Sequence, residues 1–196
     1  MTTALRIVVA DDERDMRDYF HKILPRLGHR VVAAAENGEQ LVDFCHFYRP
    51  DLVITDIKMP HMDGIEAALK IYEQTPIPVI LVSAYNDAKL IERAEVDPIM
   101  AYLVKPIKQT DLEPAIRLAM HRFEQFEALR REASDVRQAL EDRKVIERAK
   151  GVLMKELNLS EPEAFRRLQK TASAKNLKLI EVAQLALTTA KALQNS

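Results

Sequence analysis

The sequence predicts an α/β protein: a five-stranded, doubly wound parallel sheet followed by a long helix and a small three-helix module. Three observations carry that expectation. Five short apolar runs recur in the first two-thirds of the 196 residues, and helix-length amphipathic stretches separate them. Beyond Pro114 the texture changes to unbroken helix-forming sequence. Strands alternating with helices at this spacing form βα units, which pair into a parallel sheet covered on both faces.

The strands are expected at "LRIVVA" (5–10), "RVVAAA" (30–35), "DLVITD" (51–56), "PVILVS" (78–83) and "AYLVKP" (101–106). Most are rich in β-branched residues and four to six residues long, as strands buried on both faces should be. Helices are expected at about 14–27, 38–48, 64–74 and 87–96. Residues 115–150 contain neither proline nor glycine and read as one long helix. Within it Ala119, Phe126, Ala133 and Leu140 recur every seven residues, with Leu129 and Val136 at the intervening positions. Three heptads suffice to predict a coiled-coil seam that pairs two copies. The alternative is an amphipathic helix lying on its own domain.

Two shorter helices close the chain. "LSEPEAF" offers Ser160 as N-cap, Pro162 in the first turn and Glu163 for a capping box. That helix should end near Ser173, and the last should run from Leu179 to Leu193. The expected core of this module is Ile146, Leu153, Leu157, Phe165, Leu168, Val182 and Leu187. The domain boundaries follow: 1–122 for the sheet domain, 115–140 for the linker helix and 134–196 for the helical module.

Composition narrows the class. No apolar run approaches the length of a membrane span, and the first residues lack a cationic segment of the secretory type. A single cysteine, Cys45 in "LVDFCHFY", precludes an intrachain disulfide and reads as a buried helix residue. A cytoplasmic location is the expectation. The net charge of −1 is uneven: residues 141–196 carry 11 Lys and Arg against 7 Asp and Glu, a net of +4. A mildly basic module on an acidic body permits a polyanionic partner.

In an open parallel sheet, ligands bind at the carboxyl ends of the strands. Here those ends carry Asp11 and Asp12, Asp56, Ser83 and Lys105. Three converging carboxylates repel one another unless a cation lies among them, and oxygen ligands suit a hard ion such as Mg²⁺. A lysine and a hydroxyl opposite would hold phosphoryl oxygens. Together they describe an aspartate that accepts a phosphoryl group.

The motifs "VVADDE", "VITDIKMPHMDG", "LVSAY" and "YLVKP" make residues 5–122 resemble the receiver domain of two-component response regulators, a flavodoxin-like fold. The resemblance implies that Asp56 accepts phosphate from a histidine kinase. It implies Mg²⁺ on Asp11, Asp12, Asp56 and the backbone carbonyl of Lys58, with Asp12 the more direct ligand of the acidic pair. Ser83 and Lys105 would hold the phosphoryl oxygens, and Tyr102 would be the aromatic whose rotamer follows the hydroxyl. The segment "EVDPIMAY" departs from the usual small-residue turn before the last strand, which bears on the switch surface.

The helical module shows no catalytic constellation, so no enzymatic output is expected. Its basic residues fit nucleic-acid binding, or else a solvated face of a protein-interaction module. "ALEDRKVIERAKGVLM", "LSEPEAFRRLQKTA" and "LIEVAQLA" make it similar to an ANTAR domain, the RNA-binding output of transcription antitermination regulators. That resemblance implies binding to stem-loop RNA by a homodimer paired through the linker helix and favoured by phosphorylation. Lys150 matches the family's motif lysine; Arg148, Arg166, Arg167, Lys170 and Lys175 are candidates by charge, and Gln169 stands where an arginine is common. A protein or DNA partner remains the alternative. Gly151, the only glycine after Gly64, costs about 1 kcal/mol inside a helix. It is expected to admit close approach by a neighbouring helix, or by RNA, with Lys150 facing outward.

Overall fold

A computed structural model describes residues 4–84 and 99–194. The elements are β1 (Arg6–Ala10), α1 (Arg14–Arg26), β2 (Arg30–Ala35), α2 (Gly38–Tyr48), β3 (Leu52–Asp56), α3 (Gly64–Gln74), β4 (Val79–Ser83) and β5 (Ile99–Val104). Three helices follow: α4 (Gln109–Leu157), α5 (Glu161–Lys175) and α6 (Leu179–Gln194). The strands form one parallel sheet in the order β2-β1-β3-β4-β5. Strand order reverses at β1, which opens a crevice outside the carboxyl ends of β1 and β3.

The period-two alternation of each strand sorts its side chains into two core layers. Ile7, Val9, Ile54, Ile80 and Val82 point to one face, where Phe20 and Leu24 of α1 and Leu112 and Ile116 of α4 cover them. Val8, Ala10, Val53 and Leu81 point to the other, beneath Leu41 and Cys45 of α2 and Ile65 and Ile71 of α3. Burial pushes the Cys45 thiol up to about 12, so this cysteine is an inert core residue.

Two boundaries differ from expectation. β5 starts and stops two residues early, so Lys105 and Pro106 follow the strand instead of ending it. The helix expected at 87–96, and Pro98 of the unusual turn, lie outside the described residues. The long helix begins at Gln109, where the Asp111 carboxylate accepts the Lys108 N–H at 3.2 Å, and runs on to Leu157.

The chain divides into two compact units within α4, Met1–Glu127 and Ala128–Ser196. The division splits the expected coiled-coil seam. Ala119 is fully buried in the core of the first unit, and Phe126 packs on that core with its ring 6.5 Å from Tyr72. Only Leu129, Ala133, Val136 and Leu140 remain exposed as a stripe. The correction has a simple cause: the first turns of α4 are needed to cover the sheet.

In the second unit Ala149, Leu168, Ala172, Val182 and Ala183 form the core, with Ile146, Leu153 and Leu187 packed around it. Leu157 is exposed instead of buried, and Phe165 is only half-buried. The Glu163 carboxylate accepts the Ser160 N–H at 2.9 Å and its hydroxyl at 2.6 Å, which starts α5 as the motif predicts. Glu181 accepts the Lys178 N–H at 2.7 Å and starts α6 in the same way.

Gly151 does not serve close packing. A Cβ added there meets nothing within 4 Å, and the residue is exposed. The small residues that are fully buried in this unit are instead alanines 149, 164 and 183. Gly151→Ala is therefore expected to stabilise the helical unit by roughly 0.5–1 kcal/mol, the usual penalty of glycine in a helix. Thermal denaturation reads this as a raised Tm; a lowered Tm would show that the backbone there is constrained by something else.

Candidate functional site

Parallel register brings the acidic residues together. Ala10 of β1 pairs with Thr55 of β3, so Asp11 and Asp56 emerge side by side at the crevice. One carboxylate oxygen each from Asp11, Asp12 and Asp56 lies within 4.8 Å of the others. Asp11 and Asp56 are buried, while Asp12 is exposed on the β1–α1 loop.

Lys105 reaches into this cluster from the end of β5. Its Nζ lies 2.9 Å from Asp56 Oδ2, 3.0 Å from Asp11 Oδ2 and 3.9 Å from Glu13 Oε1. Burial opposes the lysine charge, but hydrogen bonds to Asp56 and Asp11 outweigh it and hold the ammonium above the usual lysine range. For Asp11 the balance runs the other way: desolvation dominates, and the pairing with Lys105 only partly offsets its upward shift. A buried carboxylate left short of positive charge is well suited to receive a cation.

Ser83 Oγ, at the end of β4, is buried and has no hydrogen-bond partner among the described residues. The neighbouring backbone is fixed, because the Lys105 N–H donates to Ser83 O at 2.9 Å. An orphaned hydroxyl beside a lysine and three carboxylates fits a site built for an incoming group with oxygen acceptors. Lys58 is exposed in the loop two residues beyond Asp56. Tyr102 is half-buried in β5, paired in register with Leu81, and packs on the second core layer.

Three supports of the site escaped the sequence reading. Arg17 of α1 donates from Nη1 to the carbonyls of Asp11 (2.8 Å) and Asp12 (2.9 Å). Its Nη2 reaches Glu36 Oε1 at 2.7 Å, which latches the acidic loop to the end of β2. Buried Thr55 donates its hydroxyl to the carbonyl of Asp56 at 3.0 Å. Gly64, at the start of α3, lies so close that a Cβ there would overlap the Asp56 carbonyl oxygen. An arginine one turn into the helix after an acidic loop was the available signal for Arg17.

The basic candidates of the helical unit separate into two kinds. Lys150 is 8% exposed, not outward-facing. Its Nζ lies 2.6 Å from Glu161 Oε1 and 2.8 Å from Glu147 Oε2, and 5.8 Å over the Phe165 ring. The carboxylates of Glu147 and then Glu161 hold its ammonium above the usual range. Lys150 thus ties α4 to the start of α5. Arg148, Arg166, Arg167, Lys170 and Lys175 are all exposed.

Comparison with known proteins adds to this geometry. Residues 7–117 match the response regulator receiver domain, and residues 134–185 match the ANTAR domain. The chain is 39% identical over 184 residues to the transcriptional regulatory protein PdtaR of Mycobacterium tuberculosis, covering 94% of this chain and 90% of that protein. Among solved structures, it resembles the signal receiver domain of a modulated diguanylate cyclase from Desulfovibrio desulfuricans. That match has a TM-score of 0.58 and 26% identity, over 62% of this chain and 98% of the other. A response regulator receiver domain protein from Clostridium thermocellum matches with a TM-score of 0.55 and 30% identity, over 61% of this chain and 97% of the other. Among the described residues, no helix is long and apolar enough to cross a membrane.

Proposed function

The chain belongs to the response regulators that join a receiver domain to an ANTAR domain, and we propose that phosphorylation of Asp56 controls binding of its helical unit to stem-loop RNA, causing transcription antitermination. The observation that carries the receiver half is the convergence of Asp11, Asp12, Asp56 and Lys105 at the strand edge where the buried Ser83 hydroxyl has no partner among the described residues. The match of residues 134–185 to the ANTAR domain supports the output.

Asp56 is the phosphoacceptor. Its carboxylate oxygen attacks the phosphorus of a phosphohistidine on a partner kinase; the O–P bond forms as the P–N bond breaks, and the imidazole leaves. The donor set of Asp11, Asp12, Asp56 and the Lys58 carbonyl is oxygen only and fits Mg²⁺. A magnesium ion held by these residues would supply positive charge to the transferring phosphoryl oxygens. Lys105 contributes charge from the protein side. Once Asp56 carries the phosphoryl group as an acyl phosphate, it no longer holds the lysine as a free carboxylate, and the ammonium can bind the phosphoryl oxygens. Ser83 Oγ donates a further hydrogen bond, and Tyr102 of β5 is the aromatic whose rotamer follows that hydroxyl.

A change of this kind shifts a population between two states, and about 5.5 kcal/mol of differential stability is enough to reverse a 99:1 preference. The stripe of Leu129, Ala133, Val136 and Leu140 gives the shift its readout as a homodimer. Leu129, Val136 and Leu140 are more than half exposed, with exposed Ala133 between them and Glu132 and Arg137 flanking them in the manner of a coiled-coil edge.

The test uses the full chain with and without a small phosphodonor and Mg²⁺. Phosphorylation should raise the dimer fraction in sedimentation and tighten binding to hairpin RNA with a steep dependence on salt. Equal affinity for hairpin RNA and scrambled single strands would favour a protein-binding output. Tighter binding to duplex DNA would point to a DNA reader.

A further inference from the structure

Most acidic side chains of the helical unit are already engaged. Glu161 and Glu147 hold Lys150, Glu141 holds Lys144, and Glu163 and Glu181 cap the starts of α5 and α6. Arg167 and Lys175 form no ion pair among the described residues. Arg166 and Lys170 of α5 likewise form none, so ion pairing leaves the positive charge of α5 available along its length. Arg167 and Lys175 differ from them in the place where they stand.

That place is a groove of about 190 Å³ between α5 and α6, closed below by α4. Leu153, Leu168 and Val182 form its floor, and Leu185, more than half exposed, forms one wall. Arg167, Thr171 and Lys175 follow one another at four-residue intervals along the opposite wall. The Thr171 and Thr189 hydroxyls at the groove donate to their own helices, to Arg167 O and Leu185 O, each at 2.9 Å, so their oxygens face a ligand as acceptors.

An apolar slot with acceptor oxygens and two free cations has the chemistry of a nucleotide site. A base presents flat apolar faces and edge donors, and its flanking phosphates present negative charge. A base stacked in a duplex cannot enter such a slot, whereas one in a hairpin loop can be splayed outward. Aromatic stacking is not on offer, because the chain has no Tyr or Trp beyond Tyr102 and the Phe165 ring lies beneath Lys150. The aliphatic walls of the groove take that role.

We propose that the α5–α6 groove receives an unstacked base from the loop of a hairpin RNA, with Arg167 and Lys175 on the phosphates beside it. The proposal rests on the RNA-binding reading above and adds the surface and the mode. It also divides the basic residues of α5. Arg166 and Lys170 lie on a separate stripe, about 100° around the helix from Arg167 and Thr171, and do not line the groove.

The experiment selects the tightest binder of the phosphorylated full chain from a pool of RNA hairpins with a fixed stem and randomised loop. That RNA is then the probe. Arg167→Ala and Lys175→Ala should each weaken binding and lower the salt slope by about one. Leu185→Ser should weaken binding roughly five- to hundredfold, the range for loss of one base contact, with the salt slope unchanged. Arg166→Ala and Lys170→Ala should have smaller effects. The same probe made abasic at one loop position should lose affinity and become insensitive to Leu185→Ser, a readout that needs no change to the protein for the first loss. Equal losses from both basic stripes, or no loop position whose abasic form behaves this way, would overturn the groove while leaving RNA binding intact. A pool that yields no binder would overturn both.

Discussion

Asp56→Asn is expected to abolish acid-labile labelling of the full chain by a small phosphodonor in the presence of Mg²⁺. The amide removes the nucleophilic oxygen while keeping nearly the same shape, so the effect is all-or-none and does not depend on unfolding. The substitution also removes one of the two close carboxylates of Lys105, leaving Asp11 at 3.0 Å as its partner. Lys105 therefore stays paired and the fold should hold, which circular dichroism checks on the same sample. Label that persists on Asp56→Asn at the wild-type rate would mean that another carboxylate is the acceptor, with exposed Asp12 the nearest candidate.

Gly64→Ala should be the most damaging single-methyl change in the receiver. The Gly64 N–H donates to Ile57 O at 2.9 Å, which closes the loop between β3 and α3 directly behind Asp56. A Cβ there would overlap the Asp56 carbonyl oxygen and lie 3.0 Å from both its carbonyl carbon and Thr55 Oγ1. These neighbours are backbone and a buried hydroxyl, so relief requires moving β3 or α3. The expected destabilisation is at the upper end of the roughly 1–3 kcal/mol typical of overpacking, or above it. Phosphorylation should slow as well, because Asp56 itself shifts. Urea unfolding and phosphodonor kinetics measure the two effects, and an unchanged midpoint with unchanged kinetics would show that the loop relaxes freely. The contrast with Gly151→Ala, expected to stabilise, makes these two glycines a matched pair of opposite sign.

Much of the receiver was legible in the sequence because its determinants are local or repetitive. Four of the five strands stand within one residue of their apolar runs, since a fully buried strand must be apolar along its whole length. The convergence of Asp11, Asp12, Asp56 and Lys105 was legible because βα topology alone sends every strand's carboxyl end to one edge. Arg17 was not legible, because its role depends on where the side chain goes after one helical turn, and many surface arginines share that spacing. The helical unit was read less well. Large apolar residues were assigned to its core, yet alanines 149, 172 and 183 share the centre with Leu168 and Val182, and Leu157 is exposed. Short helices that cross closely need small residues at the crossing, and periodicity does not distinguish such an alanine from an exposed one.

Lys150 and the linker helix show the same division. Charge and motif position marked Lys150 as a surface contact, but Glu147, one turn earlier, and Glu161, at the start of the next helix, draw it inward. Heptad spacing marked a seam from Ala119 to Leu140, but an apolar stripe does not name its partner, and the sheet takes Ala119 and Phe126 for itself. The sequence by itself determined the strand and helix order, the acidic edge with its lysine and hydroxyl, and the capped starts of the last helices. Each of these follows from neighbours in the chain or from the alternation of the βα fold. Tertiary structure alone decided which basic residues are neutralised, which apolar stripe stays exposed and which glycine is indispensable. Those outcomes depend on distances between segments far apart in sequence, where a few ångströms separate an ion pair from a free cation and an open surface from a steric clash.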